Sequence, residues 1–100
     1  MSVYLIVKSD TSQINNEDFD HWYENEHLYE AKKQFVAINA KRGWIQNSNS
    51  HIAIYEFENI KKAKNAMDSK KLQSLIKKFD KKWNFKVTRT RELISLTQII

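Results

Sequence analysis

The chain has 100 residues, of which 41% are hydrophobic and 29% charged, a composition typical of one globular domain rather than a disordered segment. It contains no cysteine, which excludes disulfides and thiolate metal sites. Its net charge of +5 hides two opposed segments, because residues 10–30 hold seven acids and no base while residues 61–82 hold nine lysines and two aspartates. We expect a single domain over residues 1–100.

The first predicted element is a strand over residues 3–8. The segment VYLIVK is apolar on both alternating faces, with Val3, Leu5 and Val7 on one face and Tyr4 and Ile6 on the other. This pattern is typical of a central strand that is covered on both sides. The apolar run is too short for a signal peptide or a membrane span, so we expect a cytoplasmic protein without a membrane segment.

A helix is predicted from about Glu17, with Asn15 or Asn16 as its cap. At about 100° per residue, the aromatic residues of this segment share one face and Glu26 falls within that face. His27 falls at its border, while Asp20, His21 and Glu24 fall on the solvent side. The aromatic face consists of Phe19, Trp22, Tyr23 and Tyr29.

The remaining elements complete an alternating order. A strand region over residues 35–46 contains Gly43, which suggests a bulge or a close backbone approach. A turn at 47–50 leads into a clear strand at 51–58, and Asn59 caps a helix. Asp68 or Ser69 caps a second helical stretch to Trp83, and residues 85–100 form a last strand that is long for one element. The order β-α-β-β-α-β predicts an α+β, ferredoxin-like fold, with an antiparallel four-stranded sheet and both helices on one face.

The second face of such a sheet is left uncovered by the helices. Tyr4, Ile6 and part of the strand at 51–58 would lie on it. A large exposed apolar patch usually marks an interface. We therefore expect a homodimer with the open faces together, in which the long last strand can pair with the partner's sheet.

The segment DFDHWYENEHL (18–28) resembles the W-Y-x-x-E-H-L motif of the dimeric α+β barrel proteins, the EthD-like and Dabb-like group. VTRTRE (87–92) is similar to the start of the last strand in some uncharacterised bacterial members. The chain departs from the pattern at Tyr29, where these proteins commonly have proline. The resemblance implies a dimer whose sheets enclose a pocket on each side, with varied activities that include cofactor-independent monooxygenases, isomerases and dehydratases.

With this resemblance, Glu26 and His27 are the candidate catalytic pair at a pocket mouth. His27 would act as acid or base, since histidine titrates near neutrality, and a half-buried Glu26 would act as its electrostatic partner. The substrate would be a small aromatic or carbonyl compound, bound without metal or other cofactor. The candidate substrate-binding residues are Tyr23, Trp22, Trp44 and Arg91.

Other interpretations of the same residues stay open. Glu26 can pair with Arg89 or Arg91, which alternate on one face of the last strand, and His27 can simply pack at the helix end. Ion pairs between these arginines and acids of the first helix are slightly favoured over an anionic ligand. His51 is predicted to be a surface residue at a strand edge, and the spacing of the three histidines does not predict a metal site.

Two further classes of function compete with an enzyme. A non-catalytic dimer that binds a small molecule fits the sequence equally well. A nucleic-acid-binding module is the less favoured alternative, supported by the lysines of 61–82 and the ferredoxin-like order. The acidic segment 10–30 would lie beside those lysines and neutralise them, so we expect no nucleic-acid partner.

Overall fold

Four antiparallel strands and one layer of helices build the fold, in a computed structural model that describes residues 2–100. The strands lie in the order β2-β3-β1-β4. This arrangement confirms the predicted antiparallel ferredoxin-like sheet. The elements are β1 (Val3–Asp10), α1 (Asn16–Trp22), a π-helical turn (Tyr23–His27), α2 (Leu28–Phe35), β2 (Asn39–Trp44), β3 (Ser50–Phe57), α3 (Ile60–Met67), α4 (Lys70–Lys82) and β4 (Thr88–Ser95).

The helices begin where the sequence indicates. Asn15, Asn59 and Ser69 each accept a hydrogen bond from a backbone N–H three residues later, which satisfies one of the free donors of the first turn. These bonds decide between the predicted alternatives, in favour of Asn15 over Asn16 and Ser69 over Asp68.

Two strands are shorter than predicted, since β2 covers Asn39–Trp44 rather than 35–46 and β4 covers Thr88–Ser95 rather than 85–100. α2 continues to Phe35 and ends at Val36, whose left-handed backbone (φ 56°) lets its N–H bond the last turn, so β2 begins only at Asn39. The bulge or close backbone approach predicted at Gly43 is wrong, because Gly43 pairs in regular register with Ile52 and, among the described residues, no atom lies within 4 Å of the position that a Cβ would take there.

The core lies between the sheet and the helices. Strand alternation buries one set of residues on the helix side, and the intervening set faces the opposite side of the sheet. The opposite face carries Ile6 and Ile54, which pair directly, together with Tyr4 and Ile52. The predicted apolar open face is therefore confirmed. The buried hydrophobic residues of the core are Val3, Leu5, Val7, Phe19, Trp22, Tyr23, Ala31, Phe35, Ala37, Ala53, Tyr55, Phe57, Ala63, Ala66, Leu72, Leu75, Phe79, Trp83 and Val87.

A widened π-helical turn interrupts the first helical segment. The N–H of Leu28 bonds to the carbonyl of Tyr23, five residues earlier, and the Asn25 side-chain amide donates to the carbonyl of His21 at 2.8 Å. Such a turn holds one extra residue, so every later side chain lies about 100° behind its α-helical position. His27 thereby takes the buried position that α-helical spacing assigns to Glu26.

Candidate functional site

His27 lies at the end of the π-helical turn and points into the core. Its side chain is only 6% exposed. Its ring stacks on Trp22 with 4.3 Å between centroids and meets Tyr23 edge-on at 4.8 Å. Phe79 of α4 closes a third side at 5.5 Å. This aromatic box fixes the ring and removes it from water.

Burial controls the charge of His27. It lowers the pKa of His27 from 6.5 to about 3, and the nearby charges of Arg89 and Lys78 act in the same direction. The imidazole is therefore neutral at physiological pH. Its buried Nδ1 has no hydrogen-bond partner within residues 2–100, an uncommon state for a buried polar atom.

The expectation that Glu26 is half-buried beside His27 is wrong. Its side chain is 52% exposed and lies 3.4 Å from the Nζ of Lys78, which also binds Glu30 at 2.7 Å. Tyr29, placed on the aromatic face by α-helical spacing, is 71% exposed. The π-helical turn accounts for both differences. The Lys78 pairs do join the acidic first helical segment to the lysine-rich α4, as the charge pattern predicted.

A cavity of about 30 Å³ lies between the helices and the sheet, beside His27. It has room for about two water molecules. One part of its wall is polar and the other is apolar. The polar part consists of Tyr23, His27, Tyr55, Arg89 and Arg91, and the apolar part of Val7, Ala31, Phe35, Leu72, Leu75, Ile76 and Phe79.

The two tyrosines of the cavity stay protonated. Burial raises the pKa of Tyr23 to about 12, although a hydrogen bond from Tyr55 partly offsets this shift. Burial also raises the pKa of Tyr55, well above its usual range. Both phenols therefore keep their protons at neutral pH. The Tyr55 hydroxyl donates its hydrogen to Tyr23, which leaves the Tyr23 O–H as the phenolic donor available to a ligand.

The two arginines of β4 differ in their partners. Arg89 donates to Asp80 of α4 at 2.9 Å, and its guanidinium lies 3.8 Å from the ring centroid of Phe79. Arg91 makes no ion pair with any residue in the described range 2–100. The expected ion pairs with acids of the first helix are therefore wrong for both arginines. Burial lowers the pKa of Arg91, and so does the charge of Arg89.

A second polar cluster ties α1 to the edge of the sheet. Asp20 accepts hydrogen bonds from Arg42 at 2.7 Å and from the Trp44 indole at 2.8 Å, and these bonds lower the pKa of Asp20. Arg42 also lies 3.3 Å from Nε2 of His51. The Trp44 ring meets His51 edge-on at 5.0 Å. Trp44 thus belongs to this cluster and does not line the cavity beside His27.

The prediction that His51 is a surface residue is wrong, because it is completely buried. Burial lowers the pKa of His51 to about 4, with a further contribution from the charge of Arg42. The alternation of β3 carries the signal that locates it, since His51 shares a face with Ala53, Tyr55 and Phe57. The same signal places Tyr55 at the cavity, a residue that the sequence analysis did not select.

The structure thus brings together three of the six predicted site residues, His27, Tyr23 and Arg91. Trp22 supports them from behind through its stack on His27. Glu26 and Trp44 lie elsewhere. Residues 2–100 contain no cluster of side chains suited to hold a metal ion, and no helix within that range is long and apolar enough to cross a membrane.

Comparison with solved structures identifies the fold. An ethyl tert-butyl ether D (EthD) family protein from Bacillus halodurans superimposes with a TM-score of 0.76 at 17% identity, over 97% of this chain and 100% of that one. The chain has the ferredoxin-like α+β fold of this protein. The resemblance seen in the sequence is confirmed at this level.

Two further structures share the fold. SnoaB, a cofactor-independent oxygenase from Streptomyces nogalater, matches with a TM-score of 0.69 at 9% identity, over 99% of this chain and 96% of its own. A dimeric ferredoxin-like protein from an uncultured marine organism matches with a TM-score of 0.58 at 15% identity, over 97% and 98%. No family model and no curated protein matches this chain.

Proposed function

We propose that this protein is a homodimeric, cofactor-independent enzyme that removes a proton from a small aromatic or carbonyl compound. The observation that carries this proposal is the convergence of His27, Tyr23 and Arg91 on one cavity. These side chains supply a proton acceptor, a hydrogen-bond donor and a positive charge. Removal of a proton next to a carbonyl group needs all three, because negative charge develops on the carbonyl oxygen.

His27 acts as the base in this proposal. Its imidazole is neutral at physiological pH because burial lowers its pKa to about 3. An anion bound in the cavity would favour the protonated form and raise that pKa towards neutrality, which makes the ring a better base only when a ligand is present. The stack on Trp22 holds the ring in place for the transfer.

In this proposal, Tyr23 and Arg91 stabilise the negative charge that develops on the carbonyl oxygen of the substrate. The phenol of Tyr23 keeps its proton and can donate it as a hydrogen bond to a carbonyl oxygen. Arg91 places an unpaired positive charge near that oxygen. Oxidation by O₂ without a cofactor, isomerisation and dehydration can each begin with this step. The likeness to SnoaB supports a reaction of this class.

Two observations support the homodimer. Tyr4, Ile6, Ile52 and Ile54 form an apolar patch on the sheet face opposite the helices. Two solved structures with this fold, both from uncultured marine organisms, are described as dimeric ferredoxin-like proteins. Burial of the open face against a second copy would remove the patch from water.

Hydrogen–deuterium exchange tests the enzymatic proposal. Small ketones, keto acids and hydroxyaryl ketones are incubated with the protein in D₂O, and loss of the proton signal next to the carbonyl is followed by ¹H NMR. We expect exchange with at least one compound, slowed about 100-fold or more by His27→Gln. His21→Gln, which replaces an exposed histidine, is the matched control. Equal rates in the wild type and His27→Gln would contradict the proposal.

A non-catalytic binding protein is the second candidate, and the small volume of the cavity favours it. A cavity of about 30 Å³ admits only one end of a substrate unless the helices move apart. Compounds that bind, as seen by shifts of the Tyr23 and His27 signals, but show no exchange above the uncatalysed rate would favour this candidate.

A further inference from the structure

The positive charge in the cavity exceeds the negative charge. Arg89 and Arg91 lie two residues apart on the helix side of β4, and of these two only Arg89 has a carboxylate partner among residues 2–100, namely Asp80. Arg91 is half-buried beside this like charge. Removing an unpaired charge from water is costly, so such a group usually has a counter-ion.

The cavity also has more hydrogen-bond donors than acceptors. The guanidinium of Arg91 offers only donors, and so does the buried Nε of Arg89, which has no partner within residues 2–100. The phenols of Tyr23 and Tyr55 keep their protons. None of the carboxylate side chains in the described part of the chain lines the cavity. A ligand that satisfies these groups must therefore supply acceptor oxygens.

The size of the cavity and its apolar wall further limit which ligands can bind. A cavity with room for about two water molecules can admit a small polar group such as a carboxylate. The rest of the wall would accept a hydrophobic substituent, since it consists of aliphatic and aromatic side chains from α2 and α4, namely Ala31, Phe35, Leu72, Leu75, Ile76 and Phe79.

We infer that the cavity binds the carboxylate of a small monocarboxylic acid, with Arg91 as its ion-pair partner and the Tyr23 hydroxyl as a further donor. The hydrocarbon or aryl part of the acid lies against the apolar wall once the helices move apart, because the cavity as it stands has room only for the carboxylate. This inference deepens the proposed function, since it makes the substrate a keto acid or an aryl acid, but the binding itself does not depend on catalysis. Planar guanidinium groups bind carboxylates with paired hydrogen bonds, which gives the site its selectivity.

Binding of matched acids and amides tests the inference. Acetate, pyruvate and benzoate are titrated against the full-length protein at constant ionic strength, beside acetamide, pyruvamide and benzamide, and the shifts of the arginine Nε–H signals are followed by NMR. We expect at least one acid to bind at Arg91 while its amide binds about tenfold more weakly or not at all. Equal binding of acid and amide, or no binding by any acid, would overturn the inference.

The variant Arg91→Gln tests whether Arg91 binds the ligand or only stabilises the fold. It is expected to weaken binding of the acid about tenfold or more, while the unfolding free energy stays equal or rises, because an unpaired half-buried charge is removed. Lys41→Gln removes an exposed charge from the opposite face of the sheet and is the control. Unchanged affinity of Arg91→Gln would contradict the inference. Acids that bind without proton exchange would overturn only the proposed catalysis.

Discussion

At the scale of single residues, burial decides which groups can take part in chemistry. His27 and His51 are both neutral because the interior disfavours their charged forms, whereas the exposed Glu26 is engaged by Lys78 in solvent. A neutral buried histidine can accept a proton, but it also makes folding sensitive to pH. The site and the stability of the protein are therefore linked through the same ring.

His27 should make the protein less stable in mild acid. Its pKa is 6.5 when exposed and about 3 in the folded state, so below pH 6.5 the unfolded chain binds a proton that the folded protein does not. Stability therefore falls as the pH drops from 6.5 towards 3. His27 alone contributes a loss of about 2 kcal/mol between pH 7 and pH 5. Urea denaturation at the two pH values measures it.

The variant His27→Gln isolates this effect. Its loss of unfolding free energy between pH 7 and pH 5 should be smaller than that of the wild type by about 2 kcal/mol. His51, with a pKa of about 4, leaves a similar loss in the variant. His21→Gln controls for replacement of a histidine as such. An equal loss in wild type and His27→Gln would show that His27 is not buried as a neutral ring.

Asp20 should stabilise the junction between α1 and β2. In Asp20→Ala, the Arg42 side chain, only 15% exposed, and the Trp44 indole both lose their acceptor. We expect a loss of about 1–3 kcal/mol in unfolding free energy by urea denaturation. Asp20→Asn keeps one acceptor oxygen and should lose less. Glu24→Ala, at an exposed position, is the control. If it loses as much unfolding free energy as Asp20→Ala, the hydrogen bonds of Asp20 do not stabilise this junction.

Residue roles were predictable where the local pattern was regular. The alternation of the last strand placed Arg89 and Arg91 on one face before the structure was known, and they do share it. The same logic on β3 points to His51 and Tyr55. The positions of Glu26 and His27 were not predictable from helical spacing, because a single extra residue in one turn exchanges their environments.

At the scale of elements, the π-helical turn keeps the core face of the first helical segment continuous. The buried positions Phe19, Tyr23, His27, Ala31 and Phe35 recur every four residues, a spacing that drifts by about 40° per step on a regular α-helix. One extra residue reverses about 100° of that drift. The turn therefore lets one segment of two α-helices present a single face to the sheet.

Deletion of Asn25 tests this role. Removing one residue from the widened turn should restore a continuous α-helix while His27 and Phe35 keep their faces, because the deletion cancels the insertion. The carbonyl of His21, now bonded by the Asn25 amide, regains a backbone partner. We expect an unfolding free energy within about 1 kcal/mol of the wild type, by urea denaturation.

Deletion of the exposed Tyr29 is the matched control. In this variant we expect one of two changes. Either Ala31 and Phe35 rotate about 100° away from the core, or the π-helical turn closes and His27 rotates out of the core instead. Loss of a buried phenylalanine alone costs about 3 kcal/mol or more. If the two deletions destabilise the protein equally, the π-helical turn does not set the core face.

Element starts were more predictable than element ends. Asn15, Asn59 and Ser69 follow local rules that involve a side chain and a backbone N–H three residues on. The end of α2 instead depends on the left-handed backbone of Val36, a β-branched residue that rarely adopts it. Val36 carries none of the residue types that favour this conformation, so the boundary could not be obtained from the sequence.

At the scale of the whole molecule, one copy of the chain leaves the apolar open face of the sheet uncovered. The order β2-β3-β1-β4 places the apolar strands β3 and β1 at the centre, so their outer side chains form one patch around the Ile6–Ile54 pair. Lysines and acids lie around it, including Lys8, Lys41 and Glu92. An apolar centre with a charged rim is the usual anatomy of a protein interface.

A charge at the centre of this patch should separate the copies. The wild type is expected to have about twice the chain mass of 12.0 kDa by size-exclusion chromatography with light scattering. Ile54→Asp should shift the mass to that of one chain, because an unpaired carboxylate in a buried interface costs several kcal/mol. Its circular dichroism should stay unchanged, since Ile54 lies outside the core between sheet and helices.

Ser74→Asp, an exposed position on α4, adds the same charge on the helix side and should remain a dimer. A wild-type mass of one chain at every concentration would contradict the dimer, and a dimeric Ile54→Asp would place the interface on another surface.

The monomeric variant can also be used to test the cavity, which lies wholly on the helix side of the sheet. Because Arg91 and His27 reach it without crossing the sheet, a monomeric Ile54→Asp should still bind the acid that the wild type binds.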